Sequence, residues 1–223
     1  VQDYMAGTAN WRTDLYSTGG TLLSHKESIR LFKELGVDMT PELKGVDSAV
    51  GFGDSGLTQE TFASKMIQEY IDAHVSPKRV WAQSFDYNDV KFWIDNFPAF
   101  GKQAVFLDSP ADAQSGHTPP SVADFKALRN QGLRVIAVSM EDYVTLDANN
   151  KIVPSDYGKN AEAAGLKLIA GTTERSGRIV EEVIPSVGGY YATTIGGLHN
   201  DGDIMRTIDV LARDVGIIGL FSD

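Results

Sequence analysis

Apolar residues along this chain fall into two alternating rhythms. Short, nearly continuous runs of Val, Ile, Leu and Ala alternate with longer stretches whose apolar positions recur every three or four residues. The first rhythm reads as strands buried on both faces, the second as amphipathic helices covering them. Ser24-His25-Lys26-Glu27 forms a capping box that opens a helix through Leu35, ended by Gly36. A strand is predicted from Gly36 to Lys44. The glycine-rich loop Gly51 to Gly56 leads to Thr58, the N-cap of a helix reaching about Ala73. The strand Arg79 to Ser84 precedes a helix capped by Asp86, and the strand Gln103 to Leu107 ends at Asp108. A helix capped by Ser121 stops at Gly132, followed by strand Leu133 to Val138, helix Ser155 to Ala164 and strand Leu166 to Ala170. A long excursion from Ser176 to Asn200 precedes the last helix, Asp203 to Val215, and the strand Ile217 to Phe221.

Counted this way there are six strands with a helix between each and the next, which means a parallel sheet covered by helices. A (β/α)8 barrel needs two more units. A doubly wound open sheet is the alternative, but it would normally open on a strand and a phosphate-binding turn. Here Val1 to Leu23 is polar and irregular, and the chain stops at a strand end. Both ends look cut, and the 223 residues read as one incomplete barrel domain.

The net charge of −10 argues against nucleic acid or anionic membrane as a bulk partner, and no apolar stretch could span a bilayer. An anionic substrate stays possible, because a bound divalent cation reverses the local field. With no cysteine there is no thiolate nucleophile or zinc-thiolate site. His25, His74, His117 and His199 lack metal-ligand spacing; His25, in a first helical turn, is expected to be solvated.

The candidate chemistry sits at the strand ends: Glu42 and Lys44, Gln83 and Ser84, Asp108, Ser139 and Glu141, Thr172 and Glu174, Ser222 and Asp223. In a parallel barrel these converge on one mouth. Glu42 and Lys44 lie two residues apart, so both side chains face the same side of their strand. There Glu42 could hold a hard cation and Lys44 neutralise a phosphoryl oxygen. A surface ion pair is the alternative. Asp86 reads as a helix cap, and Trp81 and Trp93 as core.

Three ordered segments resemble signatures of the glycerophosphodiester phosphodiesterases: Pro41-Glu42-Leu43-Lys44, Trp81-Ala82-Gln83-Ser84-Phe85-Asp86 and Gly219-Leu220-Phe221-Ser222-Asp223. The resemblance implies a (β/α)8 TIM barrel with magnesium or calcium at its mouth and a small glycerophosphodiester as substrate. It makes Glu42 a metal ligand and Lys44 the catalytic residue that stabilises charge on the phosphodiester. Gln83 and Phe85 would shape the pocket, with Glu141 and Thr172 as further substrate-binding candidates. The long excursions resemble the larger, periplasmic or secreted members. The family's His-Arg-Gly strand, Glu-x-Asp strand and His-Asp hairpin are absent. The chain thus resembles the C-terminal three-quarters of the barrel, about six of eight units. It is expected to be inactive alone and to need its missing segment or another chain against its open edges. The alternatives are a pseudoenzyme or polyol-phosphate binding module, and an unrelated barrel lyase or isomerase using Lys44.

Overall fold

Local chemistry sets the helix ends in the computed structural model, which describes residues 21–45, 51–110, 118–186 and 189–222. Ser24 and Glu27 close the capping box of α1 (His25–Leu35), and Gly36 ends that helix in the left-handed conformation at φ 72°. Reciprocal boxes also open α2 (Gln59–Asp72), through Thr58 and Thr61, and α5 (Val122–Asn130), through Ser121 and Asp124. Asp86 accepts from Asn88 N at the start of α3 (Tyr87–Asn96), which runs into the short α4 (Pro98–Gly101).

Between the helices run β1 (Gln83–Ser84), β2 (Val105–Leu107), β3 (Val135–Ser139), β6 (Lys167–Gly171) and β7 (Gly219–Leu220). They form one parallel sheet in the order β1-β2-β3-β6-β7, so each strand lies beside the next parallel one in the chain. A doubly wound sheet would reverse direction at a switch point. No reversal occurs among the described strands, so the parallel sheet is wound in one direction. Among the described residues, β7 does not pair back onto the first segment, and closure is not seen.

The expected strand from Gly36 to Lys44 is present only as two parallel bridges, Met39 to Val80 and Glu42 to Gln83. Proline explains the break. Met39 N and Leu43 N donate to Arg79 O and Gln83 O, but Pro41 between them has no N–H for Trp81 O. The Thr40 hydroxyl supplies that bond instead, at 3.2 Å.

Both sheet faces are apolar. Ile136, Val138, Leu168 and Ala170 belong to the main core with Trp93, Phe125 and Tyr143, while Val105, Leu107, Val135 and Ala137 form a smaller cluster with Trp81 and Ile169. This alternation is why the strands read as continuous apolar runs.

Two departures from the predicted order occur after β3. A short α6 (Met140–Tyr143) leads into an antiparallel hairpin, β4 (Val144–Leu146) with β5 (Ile152–Pro154). Its turn is held by Asp147 Oδ1, which accepts from Asn149 N and Lys151 N. Ser155 then caps α7 (Asp156–Ala163). The last helix also divides, into α8 (Asp203–Val210) and a π-turn from Leu211 to Val215 that Gly216 ends.

Candidate functional site

Parallel strands must all end on one face, and that face holds a cavity of about 340 Å³. Glu42 reaches it from the bridged segment beside β1, Gln83, Asp108, Ser139 and Thr172 from the ends of β1, β2, β3 and β6, and Phe85, Tyr190 and Phe221 add aromatic surface. Of the eleven strand-end residues expected at the mouth, these five line the cavity. Asp223 lies outside the described residues, as do Trp11 and His117.

Each wall residue has a local reason for its place. Glu42 is the bridge partner of Gln83, and Gln83 Nε2 donates to Thr40 O at 3.4 Å. That leaves Gln83 Oε1 buried with no hydrogen-bond partner, and the hydroxyls of Thr172 and Thr173 share this state. The Phe85 turn rests on a polar knot behind it. Asp89 Oδ2 accepts from Ser84 Oγ and Gln59 Nε2, and Ser84 Oγ accepts from Asp86 N. Burial pushes the Asp89 carboxyl up despite the two side-chain bonds that oppose it. Tyr190 arrives from the excursion after β6 and donates its backbone N–H to Ser176 Oγ at 2.9 Å. Asp108 accepts a 2.5 Å hydrogen bond from the Tyr157 hydroxyl.

Lys44 pairs with Glu42 at the rim, but its side chain is 74% exposed and it does not line the cavity. An exposed, ion-paired ammonium is unlike the desolvated lysine that a Schiff-base mechanism uses. Glu141 lines a neighbouring cavity of about 410 Å³, with Asp142, Tyr157 and Thr193. Thr193 Oγ1 donates there to Glu141 O and Val144 O.

His25 is not the solvated residue expected. Its Nδ1 lies 2.7 Å from Glu69 Oε2 and its ring meets Tyr70 edge-on at 5.0 Å, because α1 packs on α2. The pair lines a further cavity of about 530 Å³ that also touches Glu42. Burial pushes the Glu69 carboxyl up, but hydrogen bonds from Lys65 and His25 outweigh it and the net shift is downward. A depressed folded pKa gives stability that is present above the unfolded value of 4.5 and lost as pH falls through the folded one. Glu69→Gln should therefore lower the melting temperature at pH 7, and the gap to the parent should close in more acidic solution. A gap unchanged between pH 7 and pH 3 would contradict this.

Among the described residues, the cavity lining contains two carboxylates, Glu42 and Asp108, and no lysine, arginine or histidine. No group of three or more His, Asp or Glu capable of caging a metal is found among the described residues. A calcium site with six to eight oxygen ligands does not fit this set. Magnesium typically takes one or two carboxylates and keeps its waters or substrate oxygens. Glu42, with the unpartnered Gln83 Oε1 beside it, fits that habit.

No family model matches the chain. Its fold resembles that of a crystallised Silicibacter pomeroyi protein that carries the name of a glycerophosphoryl diester phosphodiesterase. The TM-score is 0.54 at 15% identity, over 88% of this chain and 52% of that one. The chain thus spans about half the length of that structure. An extracellular protein of Arthroderma benhamiae is 42% identical over 224 residues, covering all of this chain and 90% of its own length. The chain belongs to the family of that protein.

Proposed function

We propose that the strand-end cavity is the substrate pocket of a metal-dependent phosphodiester hydrolase acting on glycerophosphodiesters. The observation that carries this reading is the meeting of Glu42, Gln83, Phe85, Asp108, Ser139 and Thr172 in one cavity at the sheet's C-terminal edge. The phosphodiesterase-like fold supports it. An anionic phosphodiester would meet two carboxylates and no cation among the described lining residues, so it needs a counter-charge. Magnesium, when bound, would supply that charge and polarise the phosphoryl oxygens. Glu42, with Gln83 Oε1, would hold it. Lys44, tethered to Glu42 at the rim, would meet the outer phosphoryl oxygen. Phe85, Tyr190 and Phe221 would cover the carbon skeleton and exclude water. Relationship to the extracellular Arthroderma protein supports a secreted location.

A second reading, a binding module for polyol phosphates, is favoured by one observation. No histidine lines this cavity among the described residues, so the proton transfers of hydrolysis have no evident carrier there. Calorimetry with glycerophosphocholine, with and without magnesium, tests the pocket itself. Binding should require the cation and vanish with chelator; equal binding in chelator overturns the metal-dependent reading. Choline release in the same mixture separates hydrolase from binding module.

A further inference from the structure

Asp108 is held from behind. The Tyr157 hydroxyl donates to its Oδ2 at 2.5 Å, from α7 and across 49 residues of chain. Tyr157 is 4% exposed and meets Phe125 and Tyr143 edge-on, with ring centroids 5.1 and 5.8 Å apart. The start of its helix is pinned as well, since Ser155 Oγ donates to Asp142 O and accepts from Gly158 N. Burial pushes the Tyr157 phenol far above its ordinary range, and the neighbouring Asp108 adds to the shift. Tyr157 is thus a permanent donor on a fixed ring. Asp108 is fixed on its own side too, because its N–H donates to Ala137 O of β3 at 2.9 Å.

We infer that Tyr157 is a positioning residue that presents Asp108 to the pocket as a preset hydrogen-bond acceptor. The inference rests on the reading of this cavity as the substrate site. The ligand end placed at the β2–β3 side is a hydroxyl, which donates a hydrogen bond, and not an anionic oxygen. A carboxylate whose rotamer is already paid for binds such a donor without losing side-chain freedom. The opposite half of the pocket, at Glu42 and Gln83, is left for the phosphoryl group and its cation. The site is therefore polar in one direction, and Tyr157 helps to set that direction although it does not line the cavity.

The test is a double-mutant cycle read by calorimetry on the whole chain, with glycerophosphocholine plus magnesium as one titrant and glycerol alone as the other. Asp108→Ala should weaken both by about tenfold, and Tyr157→Phe, which keeps the ring, should weaken both by a similar factor. In the Asp108→Ala background Tyr157→Phe should add nothing. Glycerophosphoethanolamine, whose primary ammonium can donate where the quaternary nitrogen of choline cannot, is a third titrant: an equal loss for both diesters in Asp108→Ala supports the hydroxyl, and a loss confined to glycerophosphoethanolamine overturns it. If Tyr157→Phe lowers the melting temperature but not the affinity, or weakens binding equally in both backgrounds, Tyr157 is only structural and the inference falls. Glycerol binding with the expected cycle, but no glycerophosphocholine binding, would overturn the proposed function alone. Binding of neither titrant overturns both.

Discussion

Glu42→Gln is expected to weaken cation-dependent binding of glycerophosphocholine by about tenfold or more at limiting magnesium, with recovery in excess magnesium. The substitution removes one anionic oxygen and keeps the side-chain size. It also releases Lys44 from its ion pair. Lys44→Met should behave differently. It keeps most of the apolar stem and deletes the charge that the proposed function assigns to a phosphoryl oxygen, a contact worth roughly 1.5–3 kcal/mol when charge-assisted. Binding should fall about tenfold or more, and added magnesium should not restore it. Neither variant should unfold, because Lys44 is exposed and Glu42 borders the open cavity. If both variants bind as the parent does at limiting magnesium, the Glu42–Lys44 pair is only a surface ion pair.

The largest stability effect is expected from Trp93→Ala. Trp93 is fully buried in the main core, where it joins two helices: its Nε1–H donates to Ala63 O at 3.1 Å. Removing a buried indole costs about 3–5 kcal/mol through lost transfer energy and the cavity left behind. Here the bond between α3 and α2 goes as well. Urea unfolding of the two proteins measures the difference, and a loss below about 1 kcal/mol would mean that the site collapses freely around the gap. The effect should reach the pocket, since α3 begins two residues after Phe85.

What could be read in the sequence was whatever is decided locally or by strand direction. Ser24, Thr58, Asp86, Ser121 and Ser155 cap helices because each bonds to backbone within a few residues. The meeting of Glu42, Gln83, Asp108, Ser139 and Thr172 follows once the strands are parallel, since it depends on where each strand ends and not on tertiary detail. The β4–β5 hairpin was hidden differently. Its strands are three residues each, too short for a period, although the Asp147-Ala148-Asn149-Asn150 turn marks it. Long-range pairings left no local trace. His25 finds Glu69 across 44 residues and Asp108 finds Tyr157 across 49, so neither partner could be named from spacing. Tyr190 enters the cavity only because its excursion folds back over β6, which periodicity does not encode.

That excursion is anchored in the main core by Ile179, Val183, Tyr191 and Leu198, and hydrogen bonds tie it to its neighbours. Ile179 N donates to Asp201 Oδ1, Tyr191 OH to Thr173 O, and Thr193 Oγ1 to the backbone after β3. The parallel ladder of β3, β6 and β7 is complete without it. Between its buried anchors, such a loop behaves as an interchangeable part. Selection can lengthen, shorten or re-sequence it, and so change the aromatic roof of the pocket, while the strand-end polar groups stay in register. Divergence among relatives of this chain should concentrate there, and grafting the corresponding loop between relatives should carry ligand preference with it.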